Sequence, residues 1–590
     1  MDPAVQTAIE RWLNDPAICE TDKAEIRELL DRRDTRELTD RFYRELEFGT
    51  GGIRGILGAG PNRMNLYTVG AAAQGLANYI VRQGESAMRA GVAIAYDCRR
   101  MSPEFARRVA CVMAGNSITS HLFDALRPTP LLSYAVRRLK CTAGVMITAS
   151  HNPPDYNGLK AYWSDGGQVV PPQDIAIIAE VRSVPSYQHV LALDEDEARA
   201  KGFIRRVGKE LDEAFLELVD GSCLSPEACR EFGKRMKIVF TPLHGTGGTL
   251  IPQALRRRGF EQVLEVPEQS KPDGAFPTVL SPNPEEAPAL QMGIDLARRE
   301  RAELVIASDP DADRVGIAVR DADGAYRLMT GNQIAAVMTH YLCEQRERLG
   351  RFPANGVVLT TIVSSDLMKE IARSYGAEVV EVLTGFKWIA DRVRRYEEAG
   401  AGGEPIKQYI FGAEESYGYM PCDFVRDKDA VTAAAIIAEA AAVAAEDGRT
   451  LLDVLNDLFR RFGYFQEGVK SVTLPGADGA DKIKAIMASL RANPPRQLGG
   501  SDVIRVADYR TGEVRDAGTG RIVDRLDLPA SDVIMLTLTD GTKVIARPSG
   551  TEPKIKYYIL ARDATPNLDA ARSAATARTQ RILDELLARF

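Results

Sequence analysis

Short apolar runs alternate with amphipathic helical patterns along most of this chain, and that alternation limits its possible folds more than any other feature. Five runs read as buried strands, and each leads into a loop rich in Gly, Pro or Asp: residues 91–97, 142–148, 237–242, 302–309 and 356–362. Strands that alternate with helices favour α/β layers. Ligand sites in such layers lie at the strand ends. We therefore predict α/β domains up to about residue 455.

The two ends of the chain follow other patterns. Residues 1–46 read as helices. Beyond about residue 455, we predict a helix over 481–492, a hairpin over 533–548 that turns at Asp540-Gly541, and an amphipathic helix over 577–590. Adjacent strands with flanking helices predict a smaller α+β domain at the C-terminal end.

Size and charge limit the classes of protein that this chain can represent. The chain has 590 residues, which is more than a single hydrophobic core accommodates. At about 100–200 residues per domain, it would form three to five domains. The net charge of −7 argues against nucleic-acid binding by bulk electrostatics. An apolar stretch from Ala430 is interrupted by Glu439, so we expect a packed internal helix and no membrane partner. We also expect a cytoplasmic location, since the first residues lack a secretory signal pattern.

Metal-binding cysteine motifs are not evident in the sequence. The eight cysteines form no C-x-x-C pair and there are five histidines, so neither a zinc site nor a disulfide framework is indicated.

One serine stands beside a histidine in the stretch TASHNPPDYNGLK, residues 148–160. A serine hydrolase is one interpretation of Ser150 and His151, but the frame is not G-x-S-x-G. Neighbours on an extended chain point to opposite faces, so we expect His151 to be badly placed to accept a proton from Ser150. A serine in a structural turn is the alternative.

Three aspartates at alternate positions follow the strand at 302–309: Asp309, Asp311 and Asp313. Carboxylates this close repel one another unless a cation compensates them. Oxygen ligands of this kind suit Mg²⁺. An EF-hand loop is a competing interpretation, but Arg314 and Arg320 stand where that loop needs Gly and Glu. An acid-rich turn without a metal is the other alternative.

Two further loops carry polar groups suited to a phosphorylated sugar. In RPSGTEPK (547–554), Arg547 can pair with a phosphate while Ser549, Gly550 and Thr551 offer hydroxyl and backbone donors. In GAEESYGY (412–419), two carboxylates and a serine can bind sugar hydroxyls. A strand-closing turn and a solvated acidic loop are the respective alternatives. Taken together, the four loops supply the groups that phosphoryl transfer requires. Two phosphate sites favour turnover of a doubly phosphorylated species.

The ordered motifs TASHNP, DPDADR, EES and RPSGTEPK resemble those of the α-D-phosphohexomutase superfamily, and the resemblance covers nearly the whole chain. The segments EFGTGGIRGILGAGPNRMN (47–65) and EESYGYMPCDFVRDKDAV (414–431) look most like the phosphoglucomutase/phosphopentomutase branch. The resemblance implies three related α/β domains with mixed sheets and a C-terminal α+β domain around a central active-site cleft. The corresponding boundaries are 1–208, 209–325, 326–452 and 453–590.

The same resemblance implies a mutase that interconverts glucose 1-phosphate and glucose 6-phosphate through a phosphoserine enzyme. Its cofactors would be Mg²⁺ and a sugar bisphosphate, such as glucose 1,6-bisphosphate, as intermediate and activator. Its partner would be a small phosphosugar, with no nucleic acid and no membrane, and the enzyme would be a monomer or homodimer. A phosphopentomutase, a phosphomannomutase and a hexose bisphosphate synthase are the alternatives that use the same chemistry.

Residue roles are carried over from the resemblance position by position. Ser150 would carry the phosphoryl group, and Ser150, Asp309, Asp311 and Asp313 would hold the metal. Arg54, Lys160 and His151 are the candidates for acid/base or charge-balancing roles. The expected substrate-binding positions are Arg314, Thr384, Gly385, Glu414, Ser416, Lys428, Arg547, Ser549, Gly550 and Thr551.

One position departs from related enzymes whose sugar loop reads G-E-x-S-G-H. Those enzymes have a histidine that handles protons, whereas Gly418 stands at the corresponding place here. We therefore expect proton transfer to depend on Lys160, Arg54 or the metal-phosphate group, with His151 as a weaker candidate.

Two other functional classes fit the sequence less well. The stretch HGTGG (244–248) resembles part of a nucleotide-binding loop but lacks the full G-x-G-x-x-G spacing of an NAD-dependent oxidoreductase. A catalytically silent binding protein is the third class, and it is disfavoured because every reactive residue type of the resembled family is present.

Overall fold

The computed structural model describes residues 1–47, 49, 51–403, 406–474, 477–548 and 554–589. The chain divides into two compact units, each built from several segments. The first unit comprises Met1–Thr330, Ile389–Ile406 and Ser416–Gly448, and the second comprises Gly331–Trp388, Lys407–Glu415 and Arg449–Phe590.

Three short helices form the N-terminal layer of the first unit: α1 (Pro3–Asn14), α2 (Glu20–Asp31) and α3 (Thr35–Phe42). Asp2 and Asp34 cap α1 and α3 by accepting hydrogen bonds from backbone N–H groups of the first turns. The apolar faces of the three helices meet around Trp12 and Phe42 in a small core of their own. The predicted helical start is confirmed.

A six-stranded mixed sheet follows in the first unit. Its strands and the surrounding helices are β1 (Gly52–Ile56), α4 (Leu66–Arg82), α5 (Glu85–Ala90), β2 (Val92–Tyr96), α6 (Ser102–Gly115), β3 (Ser120–Phe123), α7 (Thr129–Arg138), β4 (Ala143–Ile147), β5 (Tyr156–Trp163), α8 (Gln173–Arg182), α9 (Glu195–Ala200) and β6 (Ile204–Val207). The strand order is β1-β5-β4-β2-β3-β6. The central strands are parallel, whereas β5 and β1 are antiparallel additions at one edge.

A five-stranded sheet forms the second layer of the first unit. Its elements are α10 (Lys209–Gly221), α11 (Pro226–Phe232), β7 (Lys237–Thr241), α12 (Ile251–Arg257), β8 (Gln262–Glu265), α13 (Ala287–Glu300), β9 (Leu304–Ser308), β10 (Val315–Arg320) and β11 (Tyr326–Met329). The order is β11-β10-β9-β7-β8, with β7 parallel to β8 and β9, and β10 antiparallel to its neighbours. Every residue of β9 is buried, as its continuous apolar sequence predicts.

The next segment contributes to both units. It contains α14 (Gly331–Arg348), β12 (Gly356–Thr361), α15 (Asp366–Ser374), β13 (Glu378–Val382), α16 (Lys387–Ala401), β14 (Gln408–Glu414), β15 (Gly418–Met420), α17 (Ala430–Glu446) and α18 (Leu451–Phe462). In the second unit, β12 pairs in parallel with both β13 and β14. In the first unit, α17 packs against α11 and α12.

Helix α17 is the alanine-rich segment that the sequence predicted to be internal, and its side chains are mostly buried. Glu439, which interrupts the apolar run, is also fully buried. Its carboxylate accepts hydrogen bonds from the backbone N–H groups of Leu224 and Ser225, at 2.6 and 2.8 Å, and pairs with Arg258. The buried charge is therefore compensated, which a charge in an apolar helix requires.

The C-terminal part of the second unit is a single antiparallel sheet with two helices. Its elements are β16 (Tyr464–Thr473), α19 (Ala477–Ala492), β17 (Gln497–Leu498), β18 (Ser501–Asp508), β19 (Glu513–Asp516), β20 (Ile522–Arg525), β21 (Ile534–Leu538), β22 (Lys543–Pro548), β23 (Lys554–Asp563) and α20 (Leu568–Arg589). The order is β16-β23-β22-β21-β18-β19-β20, with β17 beside β18. The predicted hairpin is the pair β21–β22, and Gly541 in its turn has a φ of 82°.

The fold class predicted from the sequence is confirmed: α/β layers with mixed sheets precede a C-terminal α+β sheet. Helix α6 begins at Ser102, and Met101 is its capping residue. Ser102 donates to the buried carboxylate of Asp97, at 2.7 Å. Among the described residues, no helix is both long and apolar enough to cross a membrane.

Candidate active site

Ser150 lies in the loop that follows β4, in the first unit. Its side chain is buried, and its backbone has a φ of 51°, a left-handed conformation that is uncommon for a residue other than glycine. Its hydroxyl donates to Asp309 Oδ2 at 2.9 Å. The loop thus brings Ser150 to the aspartate group that follows β9.

His151 is closer to Ser150 than the sequence argument predicted. Its Nδ1 lies 3.2 Å from Ser150 Oγ. The prediction assumed an extended chain, and it was wrong because the left-handed backbone of Ser150 turns the two side chains to the same side. Burial, reinforced by the charges of Arg314 and Arg54, lowers the pKa of His151 well below its usual value. His151 is therefore neutral at pH 7 and able to share a proton with the Ser150 hydroxyl.

Arg99, which the sequence analysis missed, holds the Ser150 loop by hydrogen bonds to its backbone. Its guanidinium donates to four backbone carbonyls of the loop: those of Ser150 at 2.6 Å, Asn152, Pro153 at 2.8 Å and Tyr156 at 3.0 Å. Arg99 is almost fully buried and lies 3.4 Å from the carboxylate of Asp97. Only arginine supplies five N–H donors in a fixed plane, so this residue type suits the task.

The three predicted metal ligands form one buried group. One oxygen from each of Asp309, Asp311 and Asp313 lies within 4.8 Å of the others. Burial raises the pKa of Asp309, and the neighbouring Asp313 and Asp311 raise it further. Burial alone would raise the pKa of Asp313 too, but Lys160, Lys428 and Arg314 lower it. Asp309 and Asp313 therefore differ in proton affinity although they lie in the same buried group.

Two carboxylate oxygens of this group have unused acceptor capacity. Asp311 Oδ1 and Asp313 Oδ1 are buried and accept no hydrogen bond from any described residue. The opposite oxygens are engaged: Lys160 Nζ donates to Asp311 Oδ2 at 2.7 Å and to Asp313 Oδ2 at 3.0 Å. Buried unpaired carboxylate oxygens are costly unless a cation or a donor occupies the space beside them.

Two cationic residues approach the same group from other elements. Lys428 Nζ lies 3.1 Å from Asp313 Oδ2 and 3.2 Å from Asp427 Oδ1. Arg314 donates its backbone N–H to Asp309 Oδ1 at 3.0 Å, and its side chain pairs with Glu285. The predicted positions Arg314 and Lys428 are thus brought to the aspartates.

Arg54 reaches the Ser150 loop from β1. Strand β1 pairs with β5, where Arg54 is opposite Gly158 and Gly52 is opposite Lys160. Arg54 donates to the side-chain carbonyl of Asn152 at 2.8 Å. Two adjacent edge strands therefore carry Arg54 and Lys160 to this loop.

The remaining predicted positions are distributed over both units. Ser416 belongs to the first unit, whereas Thr384, Gly385, Glu414 and Arg547 belong to the second. The backbone N–H of Gly385 donates to Glu414 Oε1 at 2.9 Å, and Thr384 Oγ1 is buried without a hydrogen-bond partner among the described residues. Arg547 lies near the end of β22. Ser549, Gly550 and Thr551 lie outside the described residues.

A second group of potential ligands exists in the first unit: Cys223, Cys229 and Glu439. The Glu439 carboxylate already pairs with Arg258 and accepts two backbone hydrogen bonds. The aspartate group is the better candidate metal centre, because its free oxygens lack such partners.

Family models and curated relatives match most of the chain. Models of domains I, II and III of the phosphoglucomutase/phosphomannomutase family, each an alpha/beta/alpha domain, match residues 45–188, 219–324 and 330–462. A phosphoglucomutase of Staphylococcus aureus (strain USA300) is 38% identical over 535 residues, covering 90% of this chain and 92% of that protein. A phosphoglucomutase of Staphylococcus epidermidis is 38% identical over 541 residues, covering 91% of this chain and 94% of that protein.

Solved structures show the same fold. A phosphoglucomutase of Paramecium, pp63/parafusin in an open form, superimposes with a TM-score of 0.66 at 16% identity, covering 92% of this chain and 95% of that one. A putative phosphomannomutase of Thermus thermophilus gives a TM-score of 0.64 at 22% identity, covering 90% and 98% of the two chains. With three matching domain models and curated relatives of 38% identity over nine-tenths of its length, the chain belongs to the phosphoglucomutase/phosphomannomutase family.

Proposed function

We propose that this protein is a phosphoglucomutase that interconverts glucose 1-phosphate and glucose 6-phosphate through a phosphorylated Ser150 and a bisphosphorylated sugar. The observation that carries the proposal is the hydrogen bond from Ser150 Oγ to Asp309, which fixes a single hydroxyl against a group of three buried carboxylates. The staphylococcal relatives of 38% identity carry the name phosphoglucomutase, which favours glucose as the sugar.

The aspartate group fits Mg²⁺. The free oxygens of Asp311 and Asp313 are hard ligands within a buried group of three carboxylates. We assign Asp309, Asp311, Asp313 and an oxygen of the Ser150 phosphate as the ligands. When bound, Mg²⁺ would neutralise charge on the phosphoryl group and so favour its transfer.

Phosphoryl transfer to and from Ser150 also requires protons to move between oxygens. In the first half-reaction, the bond between Ser150 Oγ and phosphorus breaks as a sugar hydroxyl forms the new bond to phosphorus. That hydroxyl loses a proton and Ser150 Oγ gains one. The neutral His151, 3.2 Å from Oγ, can accept the proton of Ser150 when the serine is phosphorylated again, whereas the proton that Oγ gains comes from a protonated group such as Lys160. The second half-reaction reverses these steps with the other phosphate of the bisphosphate.

Lys160 and Arg54 are assigned to charge balance. Burial would lower the pKa of Lys160, but Asp311 and Asp313 raise it, so Lys160 remains protonated at pH 7. A protonated lysine can hydrogen-bond a phosphate oxygen and donate a proton to a departing group, but it cannot act as the base. Arg54, fixed through Asn152, adds a second positive charge beside the loop.

The substrate-binding roles rest on the family positions. We assign sugar recognition to the carried-over positions named below. We assign the non-transferring phosphate to the segment that begins at Arg547, whose guanidinium can pair with it in two hydrogen bonds. The proposed positions are Arg314, Thr384, Gly385, Glu414, Ser416, Lys428, Arg547, Ser549, Gly550 and Thr551. The hydrogen bond from Gly385 to Glu414 supports a joint role for these two residues.

We also propose four domains with the boundaries 1–208, 209–325, 326–452 and 453–590. The positions of the three family models support the first two boundaries closely. The third model extends to residue 462, the end of α18, which is ten residues beyond the proposed last boundary.

The proposal is tested on Ser150 itself. Intact-protein mass spectrometry after incubation with glucose 1,6-bisphosphate should show one added phosphate, and peptide mapping should place it on Ser150. Ser150→Ala should lose the phosphate and turnover while keeping its thermal unfolding profile. Ser573→Ala, at an exposed serine of α20, is the matched control and should retain both. Full activity of Ser150→Ala would overturn the mechanism.

The sugar is tested separately. The values of kcat/KM for the 1-phosphates of glucose, mannose and ribose should rank glucose first. A preference for ribose would reassign the enzyme as a phosphopentomutase, and a preference for mannose would reassign it as a phosphomannomutase, in both cases with the Ser150 mechanism intact.

A further inference from the structure

Two cysteines of the first unit lie side by side in a place that the proposed mutase reaction does not use. Cys223 lies in the turn between α10 and α11, and Cys229 lies within α11. Both carry free thiols. Their sulfur atoms lie within 4.8 Å of each other, and the two thiols share a hydrogen bond. A disulfide has its sulfur atoms about 2 Å apart, so a movement on the scale of a side chain would join them.

The backbone on both sides of Cys223 is fixed by a buried ion pair. Before it, the hydroxyl of Ser222 accepts a hydrogen bond from Arg258 at 2.8 Å. After it, the backbone N–H groups of the next two residues donate to Glu439 of α17, at 2.6 and 2.8 Å. Arg258 and Glu439 also pair with each other. The folded protein therefore holds Cys223 beside Cys229, which gives the two thiols the advantage of proximity.

The two thiols differ in access to solvent and in acidity. Cys223 is half-buried, whereas Cys229 is buried. The hydrogen bond from the Cys229 thiol lowers the pKa of Cys223, and the charge of Arg258 acts in the same direction, against burial and the charge of Glu439. The same hydrogen bond, together with burial, raises the pKa of Cys229. An accessible, more acidic thiol beside a second thiol is the arrangement of cysteines that react reversibly with peroxides.

We propose that Cys223 and Cys229 form a peroxide-responsive dithiol, in which Cys223 reacts with hydrogen peroxide and Cys229 then closes a reversible disulfide. In the first step, the Cys223 thiolate attacks one peroxide oxygen. An S–O bond forms, the O–O bond breaks, and the departing hydroxide takes up the proton that the Cys223 thiol released. The products are a sulfenic acid on Cys223 and one water.

In the second step, the sulfur of Cys229 attacks the sulfur of the sulfenic acid. The S–S bond forms, the S–O bond breaks, and the proton of the Cys229 thiol leaves with the hydroxide as a second water. Two thiols are thereby oxidised by two electrons, which reduce one peroxide to two waters. A sulfenic acid without a neighbouring thiol is open to further, irreversible oxidation. Cys229 therefore keeps the oxidation of Cys223 reversible.

The test is peptide mass spectrometry on the full chain, reduced, exposed to hydrogen peroxide while folded, and then alkylated with iodoacetamide. We expect the peptides of Cys223 and Cys229 to be joined, with a loss of about 2 Da for the two hydrogens removed. Both residues should become resistant to alkylation, and dithiothreitol should restore both thiols. Cys19→Ser, which removes an exposed cysteine elsewhere in the first unit, is the control and should form the same link.

Two variants separate the roles of the thiols. Cys229→Ser should accumulate a sulfenic acid on Cys223 that dimedone traps, and longer exposure should convert it to a sulfinic acid that dithiothreitol does not reduce. Cys223→Ser should leave Cys229 as a thiol. Thermal unfolding verifies that each variant is folded, and the link in the wild type does not depend on either variant. The proposal is overturned if both thiols of the wild type stay alkylatable under peroxide that oxidises Cys19, if the link forms only in denaturant, or if Cys229→Ser gives no dimedone adduct on Cys223.

Discussion

The side chain of Lys428 occupies the space that a β-carbon at residue 418 would need. A β-carbon added to Gly418 would overlap with Cδ and Cγ of Lys428, and the same lysine reaches Asp313 with its Nζ 3.1 Å from Oδ2. The absence of a side chain at Gly418 thus gives Lys428 a path to the aspartate group.

Gly418→Ala should displace Lys428 from Asp313. We expect kcat/KM to fall by about 10-fold or more, corresponding to the loss of one charge-assisted contact. Gly221→Ala is the control, because a β-carbon there meets nothing within 4 Å. Lys428→Ala should lose at least as much, and the double variant should be less impaired than the sum of the two single variants. Additive losses would show that the two residues act independently.

Arg99→Lys should impair catalysis more than stability. Lysine keeps a positive charge near Asp97 but cannot reach the four carbonyls that Arg99 holds. Because Ser150 would then be positioned less precisely, we expect kcat to fall by about 100-fold. KM should change little. Arg100→Lys, at the exposed neighbour, is the control. Equal decreases in kcat and in thermal unfolding temperature for Arg99→Lys would instead indicate a purely structural residue.

Mg²⁺ should stabilise the folded protein through the three aspartates. At saturating Mg²⁺ we expect the thermal unfolding temperature to rise by about 2–4 °C. Asp311→Asn should lose that rise because it removes one charge from the group. Asp323→Asn, at an exposed acid between β10 and β11, should retain it. EDTA should abolish turnover and Mg²⁺ should restore it. A metal-induced rise that survives in Asp311→Asn would place the ion elsewhere.

Asp429 predicts a pH-dependent change in stability. Burial raises its pKa to about 6, although Thr432 and the first N–H groups of α17 hydrogen-bond the carboxylate. A carboxyl whose pKa is higher in the folded state binds more protons when folded, so its stabilisation is lost as pH rises from about 4 to 6.

Asp429→Asn retains the N-cap of α17 but cannot ionise. Its free energy of unfolding relative to wild type should therefore rise between about pH 4 and pH 6, by about 2–3 kcal/mol at most. Denaturant unfolding of both proteins at pH 4, 5, 6 and 7 measures the difference. Asp194→Asn, at the exposed cap of α9, gives the background. A constant difference from pH 4 to 7 would contradict the assignment.

The sequence predicted the strand-loop alternation, the helical start and the buried α17. These succeed because burial patterns and strand-end loops are local properties of the chain. The grouping of Ser150 with the distant aspartates instead followed from the resemblance to a known family, and the hydrogen bond from Ser150 to Asp309 is consistent with it. The position of His151 was predicted wrongly, since it depends on one left-handed residue that the neighbouring sequence does not specify.

Arg99 and the role of Gly418 were missed for a different reason. The contacts of Arg99 join a strand end to a loop about fifty residues later, and the role of Gly418 depends on a side chain ten positions away. Asp97 and Arg99 directly after a buried strand were the available signal. A buried aspartate and a buried arginine two residues apart at a strand end can therefore indicate that the arginine holds a neighbouring loop by hydrogen bonds.

The placement of α17 has a consequence for how the chain is made. This helix packs on α11 and α12, and Glu439 in it neutralises the buried Arg258. Along the chain, however, two segments of the second unit, Gly331–Trp388 and Lys407–Glu415, separate α17 from these elements. During synthesis, the early part of the first unit therefore emerges from the ribosome long before its last helix. Until residue 446 is translated, Arg258 lacks its acidic partner, and the apolar faces of α11 and α12 lack the helix that buries them. A fragment that stops at residue 330 would keep every strand of its two sheets and still expose a surface prone to aggregation.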